Sequence, residues 1–278
     1  MILEMKNVSK IFGVKCEHCL DSTGAEFSSS ICPHCNSVVG VNSVNLELKK
    51  GEVLGIVGES GSGKSTLLQL IYQDQKATEG KIFVENFVDE ENNKKNVLDA
   101  NLNEMNYLRN NLMSMIYQNP RLGLNYRFSA GGNIAEKIIG SGTKTYEEIK
   151  DRAKFFLDKT EIPVSRMNDY PDKFSGGQQQ RIQISKALSS NPKLLLLDEP
   201  TTGLDLSVQA KILDLIKVLQ KEIGFSMVIV SHDLGVIKHL TDITVVMKNG
   251  EIIEKGLTDQ ILEDPQHPYT QLLVSSIL

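Results

Sequence analysis

The amino-acid sequence predicts an α/β fold built around a phosphate-binding loop. The loop fits the pattern G-x-x-x-x-G-K-[ST] and consists of Gly58-Glu59-Ser60-Gly61-Ser62-Gly63-Lys64-Ser65. An apolar strand at residues 52–57 precedes it, and a helical segment begins at Thr66. Far downstream, an apolar strand at residues 194–197 ends in two carboxylates, Asp198 and Glu199. These observations predict buried strands alternating with helices, with phosphate chemistry at one edge of a sheet.

The residue types of the loop suit the binding of a nucleotide. Glycines let the backbone turn its N–H groups towards phosphate oxygens, and the start of the next helix adds a partial positive charge. We expect Lys64 to reach the β- and γ-phosphates and the Ser65 hydroxyl to ligate Mg²⁺. The other loop positions expected to bind are Gly58, Glu59, Ser60, Gly61, Ser62, Gly63 and Thr66. The alternative is a glycine-rich turn that matches by chance, and the strand–loop–helix context argues against it.

The polar residues that follow two of the predicted strands are candidates for the hydrolysis chemistry. Asp198 is expected to hold Mg²⁺ through water, and Glu199 to polarise the attacking water. His232 follows the apolar strand at residues 225–230, where the γ-phosphate would lie in such a sheet. The alternative is structural, because acidic residues often end strands and a lone histidine after a strand usually lies on the surface or in the core.

Composition argues against nucleic-acid and membrane-spanning classes. The 278 residues suffice for one large domain or two small ones, and the 40% hydrophobic content permits a sizeable core. The net charge is −5 and there is no long basic run, so no nucleic-acid partner is expected. No apolar run approaches the roughly 20 residues of a membrane-spanning helix. We therefore expect no direct membrane insertion and, without the apolar stretch of a signal peptide, a cytoplasmic location.

All the cysteines fall in an insert that we place at residues 14–40. They form two C-x-x-C pairs separated by twelve residues, namely Cys16, Cys19, Cys32 and Cys35. Two tight turns, each presenting two sulfurs, can close around one tetrahedral ion, and we expect a structural Zn²⁺ that supplies the folding energy of the insert. The alternatives are a redox dithiol, two disulfides or an iron site like that of rubredoxin. His18 and His34 are expected to point outwards.

The middle of the chain is predicted to be helical. Apolar residues recur at helical spacing between residues 130 and 171, and Ser175-Gly176-Gly177-Gln178 leads into a further helix. We predict a helical subdomain at residues 119–190, set into the sheet domain. Residues 86–103 are polar and are predicted to form a loop with little fixed structure.

The ordered set of motifs resembles the ATP-binding cassette (ABC) ATPases. The set comprises the phosphate loop, residues 175–178, residues 194–199, residues 203–205 and His232. It covers the whole chain except the cysteine insert, and no single motif carries the resemblance. The resemblance implies a P-loop NTPase fold of the ABC nucleotide-binding-domain type over residues 1–278, with Mg²⁺-dependent ATP hydrolysis.

The resemblance implies specific roles for individual residues. Phe12 corresponds to the aromatic residue that stacks on adenine, and Gln118 to the glutamine that senses Mg²⁺. His232 corresponds to the histidine that contacts the γ-phosphate. The signature residues Ser175, Gly176, Gly177 and Gln178 correspond to those that contact ATP held by the other protomer, and Asp205 to the loop that crosses the dimer interface. The resemblance therefore implies a head-to-tail homodimer that closes on ATP.

Within the ABC family the sequence resembles the ATP-binding K subunits of phosphonate carbon–phosphorus lyase systems. The stretches that carry this likeness are residues 51–65, 129–134, 161–163, 207–210, 256–259 and 267–276. The likeness implies lyase core subunits, with a second ABC ATPase, as partners, and closure of the dimer would remodel the lyase complex.

Two other functions remain open from the sequence. Peptide- and nickel-importer ATPases share the His267-Pro268-Tyr269-Thr270 tail, so a subunit of such an importer is the first alternative. A nucleotide-gated scaffold that does not hydrolyse ATP is the second, and the presence of Glu199 and His232 argues against it.

Overall fold

The computed structural model describes residues 1–142 and 145–276, and it separates into two compact units. The first unit contains Met1–Ala100 and Ser226–Leu278, and the second contains Asn101–Phe225. The strands are β1 (Leu3–Phe12), β2 (Val38–Leu48), β3 (Val53–Val57), β4 (Glu79–Val84), β5 (Met113–Ile116), β6 (Leu194–Asp198), β7 (Ser226–Val230), β8 (Ile243–Lys248) and β9 (Glu251–Leu257). The helices are α1 (Lys64–Tyr72), α2 (Leu102–Tyr107), α3 (Pro120–Gly123), α4 (Ala130–Gly140), α5 (Tyr146–Lys159), α6 (Gly176–Leu188), α7 (Leu206–Ile223), α8 (Leu234–Leu240), α9 (Thr258–Glu263) and α10 (Pro268–Ser275).

The first unit contains a three-stranded antiparallel sheet in the order β2-β1-β4. Burial alternates along β2, since Val44, Leu46 and Leu48 are buried while Ser43, Asn45 and Glu47 are exposed. β2 begins at Val38, because Val38 and Val39 pair with Phe12 and Ile11 at the end of β1. The cysteine insert therefore leaves β1 at its last residue and returns directly into β2.

The first unit also contains the parallel strands β7, β3 and β8, with β9 added antiparallel to β8. Every residue of β3 and β7 is buried, as expected for strands covered on both faces. Because parallel strands all point the same way, the residues that follow β3 and β7 lie at one edge of the sheet. The phosphate loop and His232 both follow these strands.

The second unit is organised by the parallel pair β5 and β6 and by helices packed around a separate core. That core is formed by Leu124, Ala130, Ile134, Ile138, Ala153, Leu157, Ile162, Phe174 and Ile182. The predicted helical segments are present as α4, α5 and α6, and the compact unit extends on both sides of residues 119–190 to include β5, β6 and α7.

The expectation that residues 86–103 have little fixed structure is wrong at its C-terminal end. Asn96 accepts hydrogen bonds from the N–H groups of Ile82 and Leu98, which fixes a 3₁₀ turn at Val97–Asp99. Asn101 and Glu104 form a capping box at the start of α2. The N-x-x-E spacing of this box was a readable helix-start signal that the polar composition obscured.

Among residues 1–142 and 145–276, none of the helices combines the length and apolar character needed to cross a membrane.

Candidate functional site

The backbone of the phosphate loop is enclosed by two other segments of the first unit. Gly58 and Gly63 have φ angles of 152° and 102°. A Cβ on Gly58 would lie 2.2 Å from the carbonyl oxygen of Met247, and a Cβ on Gly63 would lie 2.1 Å from that of Gly40. No side chain fits at either position, so β8 and β2 impose the glycines that the motif contains.

The Lys64 side chain folds back across the phosphate loop, towards its first residues. Its ammonium group donates to the carbonyl oxygens of Gly58 and Glu59, both at 2.7 Å, although the side chain is only 5% exposed. α1 begins at Lys64, and its N-cap, Gly63, provides no side-chain hydrogen bond to the first turn. A buried cation and a helix start without a side-chain cap give the loop a positive interior suited to phosphate.

Tyr269 is a contact of the phosphate loop that the sequence analysis did not identify. The Glu59 N–H donates to the Tyr269 hydroxyl at 3.1 Å, and the Lys248 ammonium lies 4.9 Å from the ring centroid. Burial raises the pKa of Tyr269, so the hydroxyl stays neutral. No local spacing in the sequence could predict this contact, because the two residues are 210 positions apart.

Phe12 and His232 are both accessible to a ligand in the first unit. The Phe12 ring at the end of β1 is 39% exposed, packs against the backbone of Gly40, and has the Lys10 ammonium 5.0 Å from its centroid. His232 is exposed between β7 and Asp233, the residue that caps α8.

In the second unit, β5 and β6 place Gln118 and Glu199 at the same edge of the pair. The Glu199 carboxylate accepts from the Gln118 amide at 3.3 Å and from the Thr202 hydroxyl at 2.9 Å. Glu199 has a φ angle of 44°, in the left-handed region that few residues other than glycine adopt. Asp198, the last residue of β6, is 8% exposed. The structure thus joins the predicted Mg²⁺-sensing glutamine to the predicted catalytic carboxylate.

The signature residues form the start of a helix in the second unit. The Ser175 hydroxyl and the Gln178 side chain form a capping box, and Gly176 and Gly177 are the first residues of α6. Asp205 caps α7 by accepting from the Val208 N–H at 3.0 Å, and its hydrogen bonds, first that from Ser207, lower its pKa. α6 packs on α7, so the predicted signature and interface residues lie near each other.

The four predicted metal ligands come together in the first unit. The sulfurs of Cys16 and Cys19 are 3.5 Å apart, those of Cys16 and Cys32 3.6 Å, and those of Cys19 and Cys35 3.5 Å. A tetrahedral zinc site with Zn–S bonds of about 2.3 Å has sulfurs about 3.8 Å apart, so the donor set fits the ion. All four cysteines are free thiols, which does not fit the alternative of two disulfides.

The surroundings of the thiols also favour a bound cation. Hydrogen bonds from Ser37 lower the pKa of Cys35 to about 6, whereas burial raises the pKa of Cys19 to about 12. A cation would offset the cost of burying the Cys19 thiolate. His18 and His34 are exposed with ring centroids 4.6 Å apart, and neither belongs to the cluster of potential ligands.

The chain is similar in sequence to known ATP-binding proteins. The protein-family description "ABC transporter" matches residues 41–202, which begin directly after the cysteine insert. The chain is 46% identical over 239 residues to PhnK of Escherichia coli K12, whose name assigns it to phosphonate utilization and ATP binding, with 86% of this chain and 92% of PhnK covered. It is 40% identical over 247 residues to the oligopeptide transport ATP-binding protein OppF of Lactococcus lactis IL1403, with 87% of this chain and 73% of OppF covered.

Solved structures share the fold. The dimeric ATP-binding cassette MJ0796, in a post-hydrolysis state with ADP and Pi, superimposes with a TM-score of 0.75 at 30% identity, covering 92% of this chain and 99% of that one. CbiO1 from Clostridium perfringens, part of the ABC transporter complex cbiONQ, gives a TM-score of 0.73 at 25% identity, covering 99% of this chain and 96% of that one.

Proposed function

The chain belongs to the ABC transporter family and is an ATPase, and from this premise we propose that it serves the phosphonate carbon–phosphorus lyase machinery. The observation that carries the proposal is the 46% identity to PhnK across 92% of that protein. The chain would dimerise head to tail on ATP and remodel a lyase core complex in the cytoplasm, with a second ABC ATPase as a further partner. The dimeric state of MJ0796 supports the dimer.

Nucleotide binding is assigned to Phe12 and the phosphate loop and, across the proposed dimer, to the signature residues. Phe12 stacks on the base, and the loop residues 58–66 hold the phosphates, with Lys64 neutralising their charge. In the dimer, Ser175, Gly176, Gly177 and Gln178 contact the γ-phosphate of ATP on the other chain, and Asp205 faces the interface. The capping box supports this assignment, because a helix start presents N–H groups to an anion.

Hydrolysis is assigned to Glu199 and His232. Glu199 orients the attacking water and accepts its proton, while Gln118 and Thr202 hold the carboxylate in place. His232 contacts the γ-phosphate. Ser65 and Gln118 would hold Mg²⁺ through their hydroxyl and amide oxygens, and Asp198 would hold it through water. The ion would supply positive charge against the phosphates.

The cysteine cluster is assigned to a structural zinc ion. Four thiolates complete a tetrahedral shell and leave no position for water or substrate, which is typical of a structural site. The insert has few buried apolar side chains besides its cysteines, so metal binding supplies its folding energy.

A second candidate function is the nucleotide-binding subunit of a peptide importer. The 40% identity to OppF over 73% of that protein favours it. In that case the partners would be membrane permeases.

The assignment of Glu199 is tested by Glu199→Gln, which keeps the size of the side chain and removes its charge. ATP hydrolysis, measured by phosphate release, should fall by about 10²-fold or more, while ATP binding is retained. Glu147→Gln removes the same charge from an exposed position in the first turn of α5 and should leave hydrolysis unchanged. Near-normal turnover in Glu199→Gln would exclude this role.

The partner assignment is tested by affinity purification of the Glu199→Gln chain from its host with Mg-ATP present, followed by mass spectrometry. We expect subunits of a carbon–phosphorus lyase core to co-purify, because slow hydrolysis keeps the closed dimer on its partner. The same purification with Mg-ATP omitted from the buffers serves as the control. Recovery of permease subunits instead would establish the importer function.

The metal assignment is tested by elemental analysis of protein purified without added metal. About one zinc per chain is expected, and Cys32→Ser with Cys35→Ser should abolish it. His18→Ala with His34→Ala is the matched control and should retain the metal, since neither ring belongs to the cluster. Iron with visible absorbance, or no metal with two disulfides under reducing conditions, would contradict the assignment.

A further inference from the structure

The cysteine cluster is built into the base of the hairpin from which the insert emerges. Cys19 and Cys32 are fully buried and pack with Ile11 of β1 and Val39 of β2 in one apolar cluster. The N–H of Cys32 donates to the Ser37 carbonyl, and the N–H of Val39 to that of Ser30. The position of the start of β2 therefore depends on the order of the insert.

Asn42 of β2 ties the insert to the rest of the first unit. Its side chain is 6% exposed, and its amide donates to the carbonyl oxygens of Leu20 at 3.0 Å and Thr23 at 3.3 Å. The same amide lies 3.1 Å from the Glu251 carboxylate, which accepts from the Ala25 N–H at 2.8 Å. A buried amide and a carboxylate thus bind three backbone groups of the insert.

The turn between β8 and β9 continues this connection to the phosphate loop. The Asn42 N–H donates to the Gly250 carbonyl at 2.8 Å, and the Gly250 N–H donates to the Ser62 carbonyl at 2.9 Å. Glu251 is the next residue. Ser62 lies in the middle of the phosphate loop, so a short series of hydrogen bonds joins the insert to that loop.

We propose that Asn42 and Glu251 are positioning residues, through which the metal-bound insert holds the phosphate loop in its ATP-binding conformation. The proposal rests on the metal site assigned above. Without metal, the carbonyls of Leu20 and Thr23 lose their fixed positions, because burial alone cannot order the insert. Asn42 and Glu251 are then left without their partners, and the turn that binds Ser62 loses its support. Loss of the metal consequently weakens ATP binding.

Loss of this connection should weaken ATP binding and leave the rate of the hydrolysis step unchanged. Asn42 and Glu251 do not touch the loop but are linked to it through Gly250, and neither is among the residues assigned to hydrolysis. A misplaced loop loses hydrogen bonds to the phosphates in the ground state and the transition state alike. The KM for ATP should therefore rise while kcat changes little.

The experiment compares full-length wild-type protein, metal-loaded and metal-stripped, with the loaded variants Asn42→Ala and Glu251→Gln. Stripping uses a chelator that is exchanged out before Mg²⁺ is added, and a zinc indicator measures the metal released. The affinity for a fluorescent ATP analogue should fall by about tenfold on stripping, and by a similar factor in loaded Asn42→Ala. Amide hydrogen exchange of residues 58–66 should become faster in both cases, while that of α6 is unchanged.

Matched controls separate this connection from a general loss of stability. Glu26→Gln removes the same charge as Glu251→Gln from an exposed position of the insert, and should bind ATP like the wild type. In Asn42→Ala, stripping should weaken ATP binding by less than about twofold further, because the connection is already broken. If Asn42→Ala does not fold, Glu251→Gln provides the same comparison while keeping the shape of the side chain.

The outcomes distinguish this proposal from the metal assignment. If the protein contains no metal, that assignment fails, and normal ATP affinity in Asn42→Ala and Glu251→Gln would still overturn the connection. If zinc is present and its removal leaves ATP affinity and the exchange of residues 58–66 unchanged, the connection is overturned and the zinc site stands.

Discussion

The phosphate loop packs closely against the backbones of β2 and β8, and the other features of the site follow from this contact. The carbonyls of Met247 and Gly40 lie where a Cβ of Gly58 or Gly63 would be. This packing fixes the path of the loop and lets Lys64 reach the carbonyls of its own loop from a buried position. β8 and β2 thus set the backbone path of the loop.

The same constraint makes the loop sensitive to segments far away in the sequence. β2 carries the cysteine insert at one end and Asn42 in its middle, β8 leads into the turn at Gly250, and α10 contributes Tyr269. Gly250 and Tyr269 hydrogen-bond to the loop backbone, and Asn42 reaches the loop only through Gly250. They can therefore change the affinity for nucleotide without taking part in hydrolysis. An insert at the end of β1 is well placed for such an influence.

The sequence alone predicted those features whose residues lie close together in the chain. The phosphate loop, the carboxylates after β6 and the cysteine pairs each occupy a short stretch with its own spacing, and the structure presents them as local units. Asn42, Glu251 and Tyr269 could not be predicted, because each acts through a backbone group that is distant in the sequence. Nothing in the types of residue around them indicates the partner. The turn at Val97–Asp99 is an intermediate case, since Asn96 also caps it locally.

In the proposed head-to-tail dimer, the signature residues of one chain complete the ATP site of the other. The most direct measurement is the molar mass of the Glu199→Gln chain by light scattering, with and without saturating Mg-ATP. The molar mass should shift from one chain to two on addition of Mg-ATP, and a further Ser175→Arg substitution at the start of α6 should abolish the shift. A protein that stays monomeric in saturating Mg-ATP, even with its partner complex present, would rule out this dimer.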